Sequence, residues 1–206
     1  GSSLTSVVPI IVYPLYGSIK TSLPSEVAEV ASMSMELISM EHWDLFFESK
    51  EDLIRAKREQ LEDVIGGLPW IACIDKFQHW VYENPSHTPD ERAVNWVKIL
   101  NEFSSPAIDN TGLDEYRKYG WQRQLHLFEG PFYYIEYGIA QLGAIGMWMQ
   151  YKENPQQAID NYCQALRLGG TRTLPEIYKT AGLEFDFSPA RIKQLMEFVK
   201  SEMDAL

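Results

Sequence analysis

Cysteine is scarce in this chain: Cys73 and Cys163 stand far apart and match no metal-binding or redox spacing. They read as buried thiols of a reducing compartment, and the expected location is cytoplasmic. Histidine is scarce too. His42, His79, His87 and His126 are the whole set, and none has another histidine four residues away. No helical turn therefore offers two imidazoles to one metal ion. Positive charge is in short supply, with 18 Lys and Arg against 29 Asp and Glu and a net charge of −11. That argues against a nucleic-acid binder, which needs a basic face. No apolar run approaches the length that crosses a bilayer. The apolar stretch from Val7 to Tyr16 is interrupted by Pro9 and Pro14 and follows no basic segment, so it does not read as a signal peptide. Strand patterning is absent beyond the first residues.

What is present is helical periodicity. The chain has 206 residues, 45% of them hydrophobic, with 6 Trp, 11 Tyr and 9 Phe, enough for one domain with a substantial core. Gly1-Ser2-Ser3 is set aside as a tag remnant. Residues 1–17 are β-branched, aromatic and proline-containing, which predicts an extended segment, either an edge strand or an unpaired arm. Residues 18–206 are expected to be all-α. The first helix is expected over 25–49, with Ser22 or Ser25 as its cap. Lys50 opens a second, which Gly66-Gly67 ends or bends, and Pro69 restarts a third that Asn84-Pro85 stops. Thr88-Pro89-Asp90-Glu91 is a capping-box start for a helix running to Phe103. A long apolar helix is expected over 132–151. Gly138, Gly143 and Gly146 within it call for a packing reason, such as close approach of another backbone. The segment 156–168 has the look of one tetratricopeptide helix, with no second copy to make an array. Ser188-Pro189 starts the last helix. His79, beside Trp80, reads as a packed or surface residue.

Chemistry concentrates in two places. In Pro24-Ser-Glu-Val-Ala-Glu-Val-Ala-Ser-Met-Ser-Met-Glu36, three carboxylates stand inside an apolar run. Spacings of three and seven put Glu26, Glu29 and Glu36 on one helix face. Such a row is either a solvated stripe at a cleft wall or a site, because buried carboxylates are costly unless paired or metal-bound. The second place is His126-Leu-Phe-Glu-Gly-Pro-Phe-Tyr-Tyr-Ile-Glu-Tyr137. Tyr134 and Tyr137 are three apart and would share a helix face. Read alone, these aromatics are either core residues or donors to a developing oxyanion.

Both segments resemble the oligoendopeptidase F branch of the thimet-oligopeptidase-like zinc metallopeptidases. The first is similar to the helix that carries that family's third zinc ligand, and the matching position is Glu29. The second is similar to the segment whose His and Tyr side chains line the cleft and hold the reacting carbonyl. The resemblance runs from about Pro24 to the C-terminus. It implies the all-α C-terminal part of a neurolysin-like catalytic domain that hydrolyses short peptides with zinc-activated water. It also implies His126, Tyr134 and Tyr137 as cleft residues, with Tyr133 as the alternative register. Glu26 and Glu36 are expected around the ligands, either accepting from a ligand imidazole or pairing with a basic group. One feature departs from the family. There is no H-E-x-x-H, so both His ligands and the Glu base are missing. The expected consequence is a chain that holds little or no zinc alone and cleaves nothing. Its partners would then be a short peptide, and either the missing N-terminal part of the catalytic domain or a homodimer mate. The competing reading is a non-catalytic helical module that binds a peptide or a partner chain.

Overall fold

The structure is a computed structural model that describes residues 24–206. The extended segment expected over 1–17 lies outside the described residues. Every regular element in the described part is a helix. They are α1 (Ser25–Ser39), α2 (Lys50–Glu83), α3 (Pro89–Phe103), α4 (Asp114–Arg117), α5 (His126–Glu129), α6 (Ile135–Glu153), α7 (Pro155–Leu168), α8 (Leu174–Thr180) and α9 (Pro189–Asp204). Single 3₁₀ turns occur at Met40–Leu45, Gly120–Arg123 and Gly169–Thr171.

These residues divide into two compact units: Ile65–Gly138, and the described residues up to Val64 together with Ile139–Leu206. The larger unit is built on α1. Val27, Val30, Ala31, Leu37 and Ile38 are buried along it, as the apolar spacing predicts. Val27, Val30, Leu37 and Ile38 pack into a cluster with Ala144, Ile145 and Trp148 of α6, Ala158 and Ala165 of α7, Tyr178 of α8, and Leu195 and Val199 of α9. Tyr162 donates its hydroxyl proton to the Ala31 carbonyl at 3.1 Å, tying α7 to α1.

The smaller unit has its own aromatic core. Trp96 is fully buried and meets Trp70 and Phe77 edge-on, at ring separations of 5.8 and 5.1 Å. Cys73, Ile74 and Ile99 complete the buried cluster, with Trp121, Leu127 and Tyr134 against it. Edge-on aromatic pairs add to the gain from burial. Cys73 is the buried thiol expected, and burial pushes it up to about 12. Cys163 is only partly buried, contrary to expectation.

Three boundaries in α1 and α2 differ from the sequence reading. Pro24 itself occupies the cap position of α1, and no side chain caps that helix. The helix stops at Ser39 rather than 49, because the backbone tightens into the 3₁₀ turn Met40–Leu45. The two helices expected on either side of Gly66-Gly67 are one continuous helix, α2, with Pro69 inside it. A proline there removes one backbone hydrogen bond and costs about 3 kcal/mol. Burial of Ile71, Cys73, Ile74 and Phe77 just beyond it offsets that cost.

Candidate functional site

The carboxylate face of α1 lies in the larger unit. Glu26, Glu29 and Glu36 are all half-buried rather than solvated. Burial first, then the neighbouring Glu29 carboxylate, raises Glu36 above the usual carboxylate range. Glu29 and Glu36 therefore share a face, as their spacing requires. The Ser32 hydroxyl donates to the Glu29 carbonyl at 3.1 Å and lies 3.5 Å from its carboxylate. Glu26 stands near Tyr178, whose phenol is raised by burial and then by that carboxylate. Among the described residues no group of three or more His, Cys, Asp or Glu side chains is disposed to hold a metal ion. A zinc centre needs three or four protein ligands. The described residues by themselves do not fit one.

The histidine–tyrosine segment lies in the smaller unit. His126 is the first residue of the one-turn helix α5, and the chain then turns through Gly130, Pro131 and Phe132 into α6. Three tyrosine rings surround the imidazole. Tyr133 stacks on it at 5.9 Å, Tyr134 is tilted at 4.9 Å, and Tyr137 meets it edge-on at 5.6 Å. Tyr133 is thus part of the same cluster rather than an alternative to it. Tyr134 precedes α6 instead of lying within it, since α6 begins at Ile135 rather than at 132. It still meets Tyr137, with ring centroids 5.5 Å apart. Burial raises the Tyr134 phenol, while hydrogen bonds from Trp70 and Gln124 and the Arg123 charge act in the opposite direction. The net upward shift keeps it a neutral O–H, a donor, across the ordinary pH range.

Three supporting residues escaped the sequence reading. Gln124 bridges two partners: Trp70 Nε1 donates to its Oε1 at 3.0 Å, and its Nε2 lies 2.7 Å from His126 Nδ1. Gln78, 3% exposed, accepts from the Phe132 backbone N–H at 3.0 Å. Phe132 has φ +57°, and among the described residues it is the only non-glycine with positive φ. That backbone state disfavours an L side chain. The Gln78 hydrogen bond and ring contacts to His79 at 4.7 Å and Tyr82 at 5.0 Å hold it there. His79 is exposed and packs on Phe132, as a non-ligand histidine should. Gln78 and Trp70 come from α2, more than fifty positions before their partners, and no local motif marks such a pairing.

Residues 15–197 match the family described as Peptidase family M3. The chain belongs to that family. Among curated proteins it is similar to an oligoendopeptidase F homologue of Borreliella burgdorferi, at 23% identity over 184 residues, covering 87% of this chain and 30% of that one. Among solved structures it resembles an oligoendopeptidase F at 34% identity and TM-score 0.81, covering 90% of this chain and 32% of that one. It also resembles PZ peptidase A crystallised with an inhibitor, at 34% identity and TM-score 0.80, covering 88% and 32%. An oligoendopeptidase F from Bacillus anthracis superposes with TM-score 0.69 at 28% identity. The chain thus spans about a third of the length of the relatives it matches. Peptidase family M3 is a family of zinc metallopeptidases. The described residues of this chain are all-α, in the fold shared with those oligoendopeptidase F structures. No helix among the described residues is long and apolar enough to cross a membrane.

Proposed function

We propose that this chain is the C-terminal part of the catalytic domain of a zinc metalloendopeptidase of the oligoendopeptidase type, acting on short peptides. Glu29 is its contribution to the metal, and the two imidazole ligands and the carboxylate base come from outside these residues. Glu26 and Glu36 orient the ligand set from the same helix face. His126, Tyr134 and Tyr137 hold the scissile carbonyl and donate to the oxyanion formed when water attacks it. The observation that carries this reading is the ring cluster around His126 in a chain of peptidase family M3. Neutral phenols next to an imidazole are donors without charge, suited to an oxygen that gains charge only in the transition state. The described residues alone do not enclose the metal.

Two assays test the proposal. With added zinc, this chain should give no chelator-sensitive cleavage of a fluorogenic peptide; such turnover would refute the division of labour. Co-expressed with an H-E-x-x-H-bearing segment of an M3 relative, the pair should cleave. Tyr134→Phe or Tyr137→Phe should then lower kcat roughly 10²-fold with KM little changed. The competing reading, a helical module that only binds a peptide or partner chain, draws on the absence of H-E-x-x-H and would be favoured if the reconstituted pair stays inactive yet binds peptide.

A further inference from the structure

The amide of Gln124 is caught between two side chains of fixed character. The indole N–H of Trp70 can only donate. The Gln124 atom 3.0 Å from it must therefore be the acceptor, Oε1. The other end of the same amide is then the NH₂ group, which carries only hydrogens. It lies 2.7 Å from His126 Nδ1. A protonated Nδ1 would set two donors against each other at that distance. Nδ1 is thus the acceptor, and in a neutral imidazole the single proton resides on Nε2.

We propose that Trp70 and Gln124 are positioning residues that lock His126 in its Nε2–H tautomer, so that the imidazole faces its ligand as a hydrogen-bond donor. Trp70 is a rigid anchor for this relay. Its ring stands edge-on to the buried Trp96 at 5.8 Å, and the Arg123 guanidinium lies over it at 4.5 Å. Tyr134 itself packs against the imidazole, its ring 4.9 Å away. The wrong tautomer would present a bare nitrogen lone pair to an oxygen that is gaining negative charge. The consequence for catalysis rests on the role given to His126 under the proposed function; the lock itself does not.

The test is the nitrogen-15 NMR spectrum of the imidazoles in the 206-residue chain, at a pH where they are neutral. His126→Gln identifies the signals that belong to His126. The expected result is a pyridine-like Nδ1 and a pyrrole-like Nε2, with the Nε2–H form favoured roughly tenfold, the ratio a net hydrogen bond supplies. In Gln124→Glu both side-chain oxygens accept, and the preference should invert to Nδ1–H. In Trp70→Phe the amide is free to turn over, and the two tautomers should approach equal population. A wild-type spectrum dominated by Nδ1–H, or an even mixture, overturns the lock without recourse to any variant. A folded Gln124→Glu with the wild-type tautomer also overturns it. In the reconstituted peptidase, Gln124→Glu should lower kcat at least tenfold with little change in KM. Inversion of the tautomer without loss of kcat supports the lock and refutes the role assigned to His126, so the two failures are distinguishable.

Discussion

Phe132 illustrates how a single side chain can hold the turn that presents a site. Its φ of +57° is a state that L residues avoid by roughly 1–2 kcal/mol. The Gln78 Oε1 accepts its N–H and removes the need for water at a half-buried amide. Gln78→Leu should leave that N–H without its partner and destabilise the protein by about 1–3 kcal/mol, read as a lower urea midpoint. It should also broaden or shift the NMR signals of His126 and Tyr133, which flank the same turn. A midpoint equal to wild type would show that the turn stands without Gln78. The Gln78 Nε2 finds no partner among the described residues. Glu36 makes a related point. Its spacing placed it beside Glu29, but only burial made the pair unfavourable enough to shift it.

Helices here are specified largely by their first turns. Thr88 accepts from the Glu91 N–H at 3.2 Å, and Glu91 Oε2 accepts from the Thr88 N–H at 2.7 Å. At the start of α8 the Glu176 Oε2 likewise accepts from the Thr173 N–H, at 2.9 Å. Thr88→Ala should cost about 1 kcal/mol, measured by urea unfolding. In both boxes the hydrogen bonds from the threonine hold the glutamate below the usual carboxylate range. A folded value below the unfolded one means stability that is present above the ordinary Glu value and lost as pH falls through the folded value. Glu91→Gln and Glu176→Gln should therefore flatten the acid limb of a melting-temperature profile, and an unchanged limb would deny the boxes that role. The glycines of α6 have a different cause. A Cβ at Gly143 would lie 2.8 Å from the Tyr178 hydroxyl, and one at Gly146 would lie 3.0 Å from Leu183 Cδ2. The close approach is by side chains, not by the backbone that the sequence reading anticipated. Gly143→Ala should destabilise by about 1–3 kcal/mol, and Tyr178→Phe should relieve part of the clash while giving up its bond to the Ile139 carbonyl.

The described residues form two units, each with its own core, and α2 and α6 each contribute residues to both. Four of the six tryptophans, Trp70, Trp80, Trp96 and Trp121, belong to the smaller unit. Indole fluorescence therefore reports mainly on that unit, while far-ultraviolet dichroism reports on all the helices. Trp96→Ala removes a fully buried ring and should weaken the smaller core by roughly 3–5 kcal/mol. The fluorescence transition should then precede the dichroism transition in urea. Coincident transitions would mean that the shared helices make the whole a single cooperative unit.

Local chemistry sufficed to determine the all-α class, the capped starts of α3 and α9, the stop before Pro85, and the shared face of Glu26, Glu29 and Glu36. Each depends on neighbours within one or two helical turns, where capping bonds, proline geometry and the 3.6-residue period act. The His126–Tyr134–Tyr137 segment stood out only through its resemblance to the oligoendopeptidase segment, since its residues alone read equally as core aromatics. Tertiary structure alone decided that α2 runs through Gly66-Gly67 and Pro69, because burial of the following turn outweighs a missing hydrogen bond. It alone brought Trp70 and Gln78 to the far end of the histidine segment. A hydrogen bond between residues 54 positions apart leaves no periodic trace in a sequence. It forms only because two packed elements fix where those side chains end.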